Sequence, residues 1–220
     1  MSNEKIESVS QSLKSVFGNK HVFIIVGHDR YWIQKNLYQY QAFFADSMQA
    51  KNLVYTSDEH HPDLHWQVPY IPHHDDLYFY YKSTLEGALQ FNKLVCDETG
   101  NWQGVASMFS LFFLSFSKTY IFVKTYYLPN YLNSETLWNL CVFADTHMQN
   151  YSYLIEQLCT NPFSYIDYHR SVHHQVTKLD QDKVAQMKSL VDALIYEPKQ
   201  EVIGGNFLDD NEIKRIPHSL

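Results

Sequence analysis

Glycine and proline are scarce in this chain, seven of each in 220 residues. Each glycine is therefore expected to have a backbone reason for its place. Cysteine is scarcer still, with only Cys96, Cys141 and Cys159. An odd number among apolar neighbours excludes a disulfide framework and reads as free thiols in a reducing compartment. No CxxC occurs, which removes a thiolate zinc site. Runs of Lys or Arg are also absent, and the net charge is −7. Binding to nucleic-acid phosphates or an anionic membrane surface needs such runs, so neither partner is expected. The longest apolar run, Val105 to Phe116, has twelve residues. A membrane-spanning helix needs about 20. The opening MSNEKIESVS is polar and acidic, unlike a signal peptide. These absences point to a soluble, cytoplasmic-type protein.

What is present suits a packed core. Hydrophobic residues make up 45% of the chain, charged residues 19% and aromatics 16%, which places it among globular proteins. Ile6, Val9, Leu13 and Val16 recur at helical spacing over 3–17, and Gly18-Asn19 stops that helix. HVFIIVG, 21–27, has the continuous β-branched run of a strand covered on both faces. Asp29 is placed to cap a helix over 30–49, and NLVYTS, 52–57, reads as the next strand. The three form a β-α-β unit with a right-handed crossover. Further strands are expected at 68–71, 93–97, 119–126 and 202–205. Further helices are expected at 83–90, 103–116 and 184–194, the last ending near Pro198. A long helix over 135–159, capped by Ser134, carries Leu137, Cys141, Ala144, Met148, Tyr151, Ile155 and Leu158 on one a/d seam. The expected architecture is α/β: a Rossmann-like three-layer sandwich with a mostly parallel central sheet flanked by helices. It forms a single domain over 1–205, with a C-terminal tail at 206–220.

In such a sheet, ligands bind outside the carboxyl ends of the strands. The expected strand ends carry His28-Asp29-Arg30, Ser57 to His61, His73 to Asp76, Asp97 to Asn101, and Lys124 to Tyr127. Thr99-Gly100-Asn101-Trp102-Gln103-Gly104 lies between a strand and a helix. There Gly100, Asn101 and Gly104 could cradle an anion at the helix N-terminus, or simply make a tight turn. Arg30 and Lys124 would neutralise the anion. His28 or His73 would supply acid/base chemistry, and Asp97 would orient the ligand.

TSDEHHPDLHWQVPYIPHHDD, 56–76, holds five of the twelve histidines and five carboxylates. Its residue types suit a metal, but its spacing matches no known cage, so no metal ligand is assigned. His169 and His173 stand four apart without the Glu of HExxH. Asp145 and His147 sit off the long seam and read as partly exposed polar residues. The Tyr-rich pieces 78–81 and 126–127 read first as core, then as stacking surfaces. No GxSxG elbow is present.

Three functions remain. The first is an enzyme-like protein, for example a transferase, that takes an anionic small molecule such as a nucleotide or nucleotide-sugar. The second is a non-catalytic interaction protein, or a homodimer, using helix 135–159. The third is a His/Asp metal-dependent hydrolase. The pattern names no cofactor.

Overall fold

The computed structural model describes residues 3–18, 21, 23–25, 27–28, 50–55, 75–96, 100–129, 132–170 and 179–204. The chain divides into two compact units. One is residues 1–73 with 125–127; the other is 74–124 with 128–220.

The first unit begins with helix α1, Asn3–Phe17. Gly18 ends it at φ 69°, a left-handed conformation that favours glycine. Residues 23–25 and 27–28 are irregular, and the Phe17 and Phe23 rings meet at 5.4 Å. Ala50–Asn52 is a 3₁₀ turn, followed by an exposed, irregular Leu53-Val54-Tyr55.

The second unit holds helices α2 (Asp75–Cys96), α3 (Trp102–Thr125), α4 (Ser134–Ala144), α5 (Ser152–Leu158), α6 (Pro162–His169) and α7 (Gln181–Gly204). Thr125, the last residue of α3, falls in the first unit. A 3₁₀ helix, Thr146–Tyr151, joins α4 to α5.

Helix α3 is the core of this unit. Phe109, Phe112, Phe113, Phe116, Tyr120 and Ile121 are all fully buried. A helix apolar on every side has to be surrounded. On one side lies α2. Phe91 faces Phe109, Gly87 faces Phe112, and Thr84 faces Ser115 and Thr119. The paired numbers rise on α2 as they fall on α3, so the two helices run antiparallel. On another side, the Phe113 ring meets Trp138 of α4 at 5.7 Å and Phe163 of α6 at 6.4 Å. Fully burying one such side chain contributes roughly 1.5–3 kcal/mol. Helix α3 is long and apolar enough to cross a bilayer, yet 72% of its apolar window is buried within the protein. It is packed as a core helix.

The parallel sheet is not there. Among the described residues 81% are helical and none is a strand, which overturns the Rossmann-like α/β sandwich. Of the expected strand at 119–126, residues 119–125 are the last two turns of α3, and of that at 93–97, residues 93–96 are the last turn of α2. Both runs are rich in Val, Ile, Leu and Phe. Short apolar runs look alike in a buried strand and in a helix buried on all sides. Length decides between them, and α3 continues the spacing Phe109, Phe112, Phe116, Tyr120, Val123 without interruption. At 202–205, α7 runs through Pro198 as far as Gly204. At 21–27 the described residues are irregular, and 52–57 begins in a 3₁₀ turn. The expected elements at 30–49 and 68–71 lie outside the described residues.

Two smaller corrections concern the long helix 135–159. Its N-cap is Asn133, whose Oδ1 accepts the Thr136 N–H at 2.8 Å; Ser134 is the first helical residue. The helix itself is broken into α4, the 3₁₀ helix and α5. The seam residues Leu137, Cys141, Met148, Ile155 and Leu158 are buried inside the chain.

Candidate functional site

The break sits at Asp145. Its backbone is extended, with φ −150° and ψ 110°. Its N–H donates to Cys141 O at 2.9 Å and closes α4. Its side-chain Oδ1 accepts the His147 N–H at 2.9 Å and starts the 3₁₀ helix, as an Asp N-cap does. The other carboxylate oxygen, Oδ2, reaches α3. It accepts from Lys124 Nζ at 2.9 Å and from Tyr120 OH at 2.8 Å. Tyr120 and Lys124 are one helical turn apart, so both present to the same point. Lys124 Nζ also stands 5.7 Å over the Tyr120 ring. The Lys124 hydrogen bond, with help from the His147 N–H and the Tyr120 hydroxyl, holds the Asp145 carboxyl down at about 2, against a smaller upward push from burial.

A second half of the cluster ties the 3₁₀ helix to α7. Tyr151 OH donates to Glu197 Oε1. His147 Nε2 lies 3.6 Å from the same oxygen, and Asn150 Nδ2 lies 3.2 Å from His147 Nδ1. The His147 and Tyr151 rings meet edge to face at 5.8 Å. Burial, then the neighbouring Glu197 carboxylate, push the Tyr151 hydroxyl up to about 12, so it stays a donor. The side chains of Lys124, Asp145 and Glu197 are 21–24% exposed, while His147 faces solvent. Lys124, Asp145 and Glu197 thus each have an internal partner. Together these residues form a clasp that fixes the bend between α4 and α5 from two sides.

Of the residues expected at a sheet edge, His28, Gly100, Asn101, Gly104 and Lys124 are described. His28, in the first unit, shares a 3.0 Å hydrogen bond with Tyr127 OH and an edge-to-face ring contact. Arg30, His73 and Asp97 lie outside the described residues. Gly100 adopts φ 72°, and its carbonyl accepts the Trp102 N–H at 2.8 Å. Asn101 caps α3, its Oδ1 accepting the Gly104 N–H at 2.9 Å. A Cβ on Gly104 would come within 2.6 Å of that Asn101 side chain, so the glycine makes room for the cap. The amide that an anion would use there is already occupied. Lys124 stands twenty residues further along the same helix, about 30 Å away at 1.5 Å per residue.

Of the histidine-rich segment 56–76, only Asp75 and Asp76 are described, at the start of α2. His169 is buried on α6 between the Tyr165 and Tyr168 rings. Asp167 receives the Ser134 N–H at 3.1 Å. Among the described residues no group of three His, Cys, Asp or Glu side chains is placed to hold a metal.

The sequence reading of Asp145 and His147 as partly exposed polar residues agrees with the structure, but it gave them no role. The available signal was an Asp N-cap pattern, Asp145-Thr146-His147, inside an otherwise regular seam. The chain matches no protein-family model, no curated protein and no solved structure.

Proposed function

We propose that this chain is a non-catalytic interaction protein whose working element is the segment 134–158. One observation carries this reading. Lys124, Asp145, His147 and Glu197 are spent on holding that segment's bend, while Phe143 and Tyr153 on its two helical pieces are 79% and 57% exposed. A catalytic group needs a free proton-transfer face toward a substrate. Asp145 has both oxygens engaged within the fold, and Lys124 donates to it. Exposed aromatics beside a rigid clasp suit a protein partner, because Tyr and Phe anchors carry much of the binding energy at such interfaces. A cytoplasmic location fits the three free thiols.

The anion-binding enzyme reading loses its support with the sheet. Asn101 fills the helix start, and Lys124 lies at the opposite end of α3.

A photo-reactive residue at Phe143, in the full chain in living cells, tests the proposal. The expected result is one discrete protein adduct, with none from the same probe at Glu86 on α2. No adduct from position 143, or the same adducts from both positions, would contradict it.

A further inference from the structure

The local stop at the bend is Asp145 itself, which caps the 3₁₀ helix. Segment 134–158 contains neither glycine nor proline, the residues that usually stop a helix. Its seam keeps the spacing 137, 141, 144, 148, 151, 155, 158 straight across the break. That is the register of one continuous helix, not of two. The connecting 3₁₀ run is six residues, Thr146–Tyr151, and 3₁₀ runs longer than three or four are uncommon. Such a stretch inside a helical register marks a hinge or a sequence under strain. Beyond that cap the bend is held by Lys124 and Tyr120 of α3 on Asp145 and by Glu197 of α7 on Tyr151 and His147.

The elements beyond the hinge pack back on those before it. Helix α7 lies on α2, with Lys188 Nζ 3.3 Å from Asn92 Oδ1. Helix α6 lies on α4, with Asp167 receiving the Ser134 N–H and Ser134 Oγ donating to Phe163 O at 3.0 Å. Phe163 also meets Phe113 of α3. If the hinge straightens, these contacts cannot form within one chain, but every one of them can form between two.

We propose that two copies of this chain exchange residues 152–204, with 134–158 straightening into one helix and α6 and α7 of each copy docking on α2, α3 and α4 of the other. The inference rests on the reading of 134–158 as the working element of an interaction protein, and it names the partner as a second copy. Exchange of an identical element re-forms the contacts between the elements on either side of the hinge; it loses the clasp and the packing of the 3₁₀ helix on α4, and gains a continuous helix. Each copy carries a formal charge of −7, so added salt favours the dimer by screening repulsion between the copies.

Sedimentation velocity on the full chain, across a wide concentration range, reads the exchange. The variants Asp145→Ala and Lys124→Met open the clasp and are expected to populate the dimer several-fold more than wild type. Adding Thr146→Pro to Asp145→Ala should restore the monomer. Proline is barred from the interior of a continuous helix but suits the first position of the 3₁₀ helix, after an extended residue. A merely destabilised chain would gain nothing from that proline. Exchange itself is read by mixing chains carrying only Asn92→Cys with chains carrying only Lys188→Cys, both in a Cys96→Ser, Cys159→Ser background. A short bis-maleimide should link the two kinds of chain in the dimer. Should Asp145→Ala fail to fold, Tyr120→Phe removes one hydroxyl and carries the same test.

Clasp variants that stay monomeric throughout, or dimers that give no 92–188 product, would overturn the exchange. A monomer that still gives the Phe143 adduct sinks the exchange alone; a monomer without that adduct sinks the interaction reading as well.

Discussion

Asp145 is where one side chain decides the path of the chain. Its ordinary value of 3.8 is lowered to about 2 in the fold, chiefly by the Lys124 hydrogen bond. A carboxyl held below its unfolded value gives stability that is present above that value and lost as pH falls toward the folded one. Acid should therefore weaken the protein between about pH 4 and pH 2, by on the order of 1 kcal/mol once solvent screening is allowed for. The variant Asp145→Asn should lack this part of the acid loss and be weaker than wild type at neutral pH. Denaturant midpoints of both proteins, taken from pH 7 down to pH 2, check this. Parallel curves would contradict the assignment. None of this was legible locally. Lys124 was picked out as a cation, but for a ligand, because its partner lies 21 positions away and meets it only through the packing of α3 against the α4 junction. His28 was likewise picked out, and its partner Tyr127 is 99 positions away.

Elements were legible where they show one polar face and a local stop. Residues 3–17 were expected as a helix and form Asn3–Phe17, because an amphipathic stripe ending in Gly18 has one reading. Helix α3 was half legible. Its first two-thirds look helical, while Tyr120-Ile121-Phe122-Val123 looks like a strand because both sides of the element are apolar. The start of α3 illustrates a cap that composition disguised as a ligand loop. Asn101→Ala removes the side chain that accepts the Gly104 N–H, and should cost about 1 kcal/mol of stability. Gly104→Ala should cost a similar amount by pushing that side chain away. The double variant should lose little more than either single one, since both remove one interaction. Thermal or urea unfolding of the four proteins measures the coupling, and additive losses would contradict the cap assignment.

At the scale of the molecule, composition set the right class of object and the wrong layering. The apolar fraction and the aromatic content do build a core, with Phe91, Phe109, Phe112, Phe113 and Phe116 at its centre. The sheet was inferred from β-branched runs, and the supposed ligand edge followed from the sheet, so one misreading removed both. The seam at 137–158 was read as an a/d pattern that could pack on the sheet, on another helix or across a dimer axis, and Leu137, Cys141, Met148, Ile155 and Leu158 of it are buried inside the chain. Its break showed in the sequence only as the Asp145 cap pattern, because the other residues that hold it belong to α3 and α7. The central structural claim is that tertiary contacts at Asp145, added to its local cap, keep this helix interrupted. Backbone carbon chemical shifts over 134–158, in wild type and in Lys124→Met, test it most directly. The expected result is a wild-type helical run interrupted at Asp145, and a variant in which that interruption weakens or vanishes. A wild-type run that is helical throughout, or an interruption unchanged in the variant, would contradict the claim.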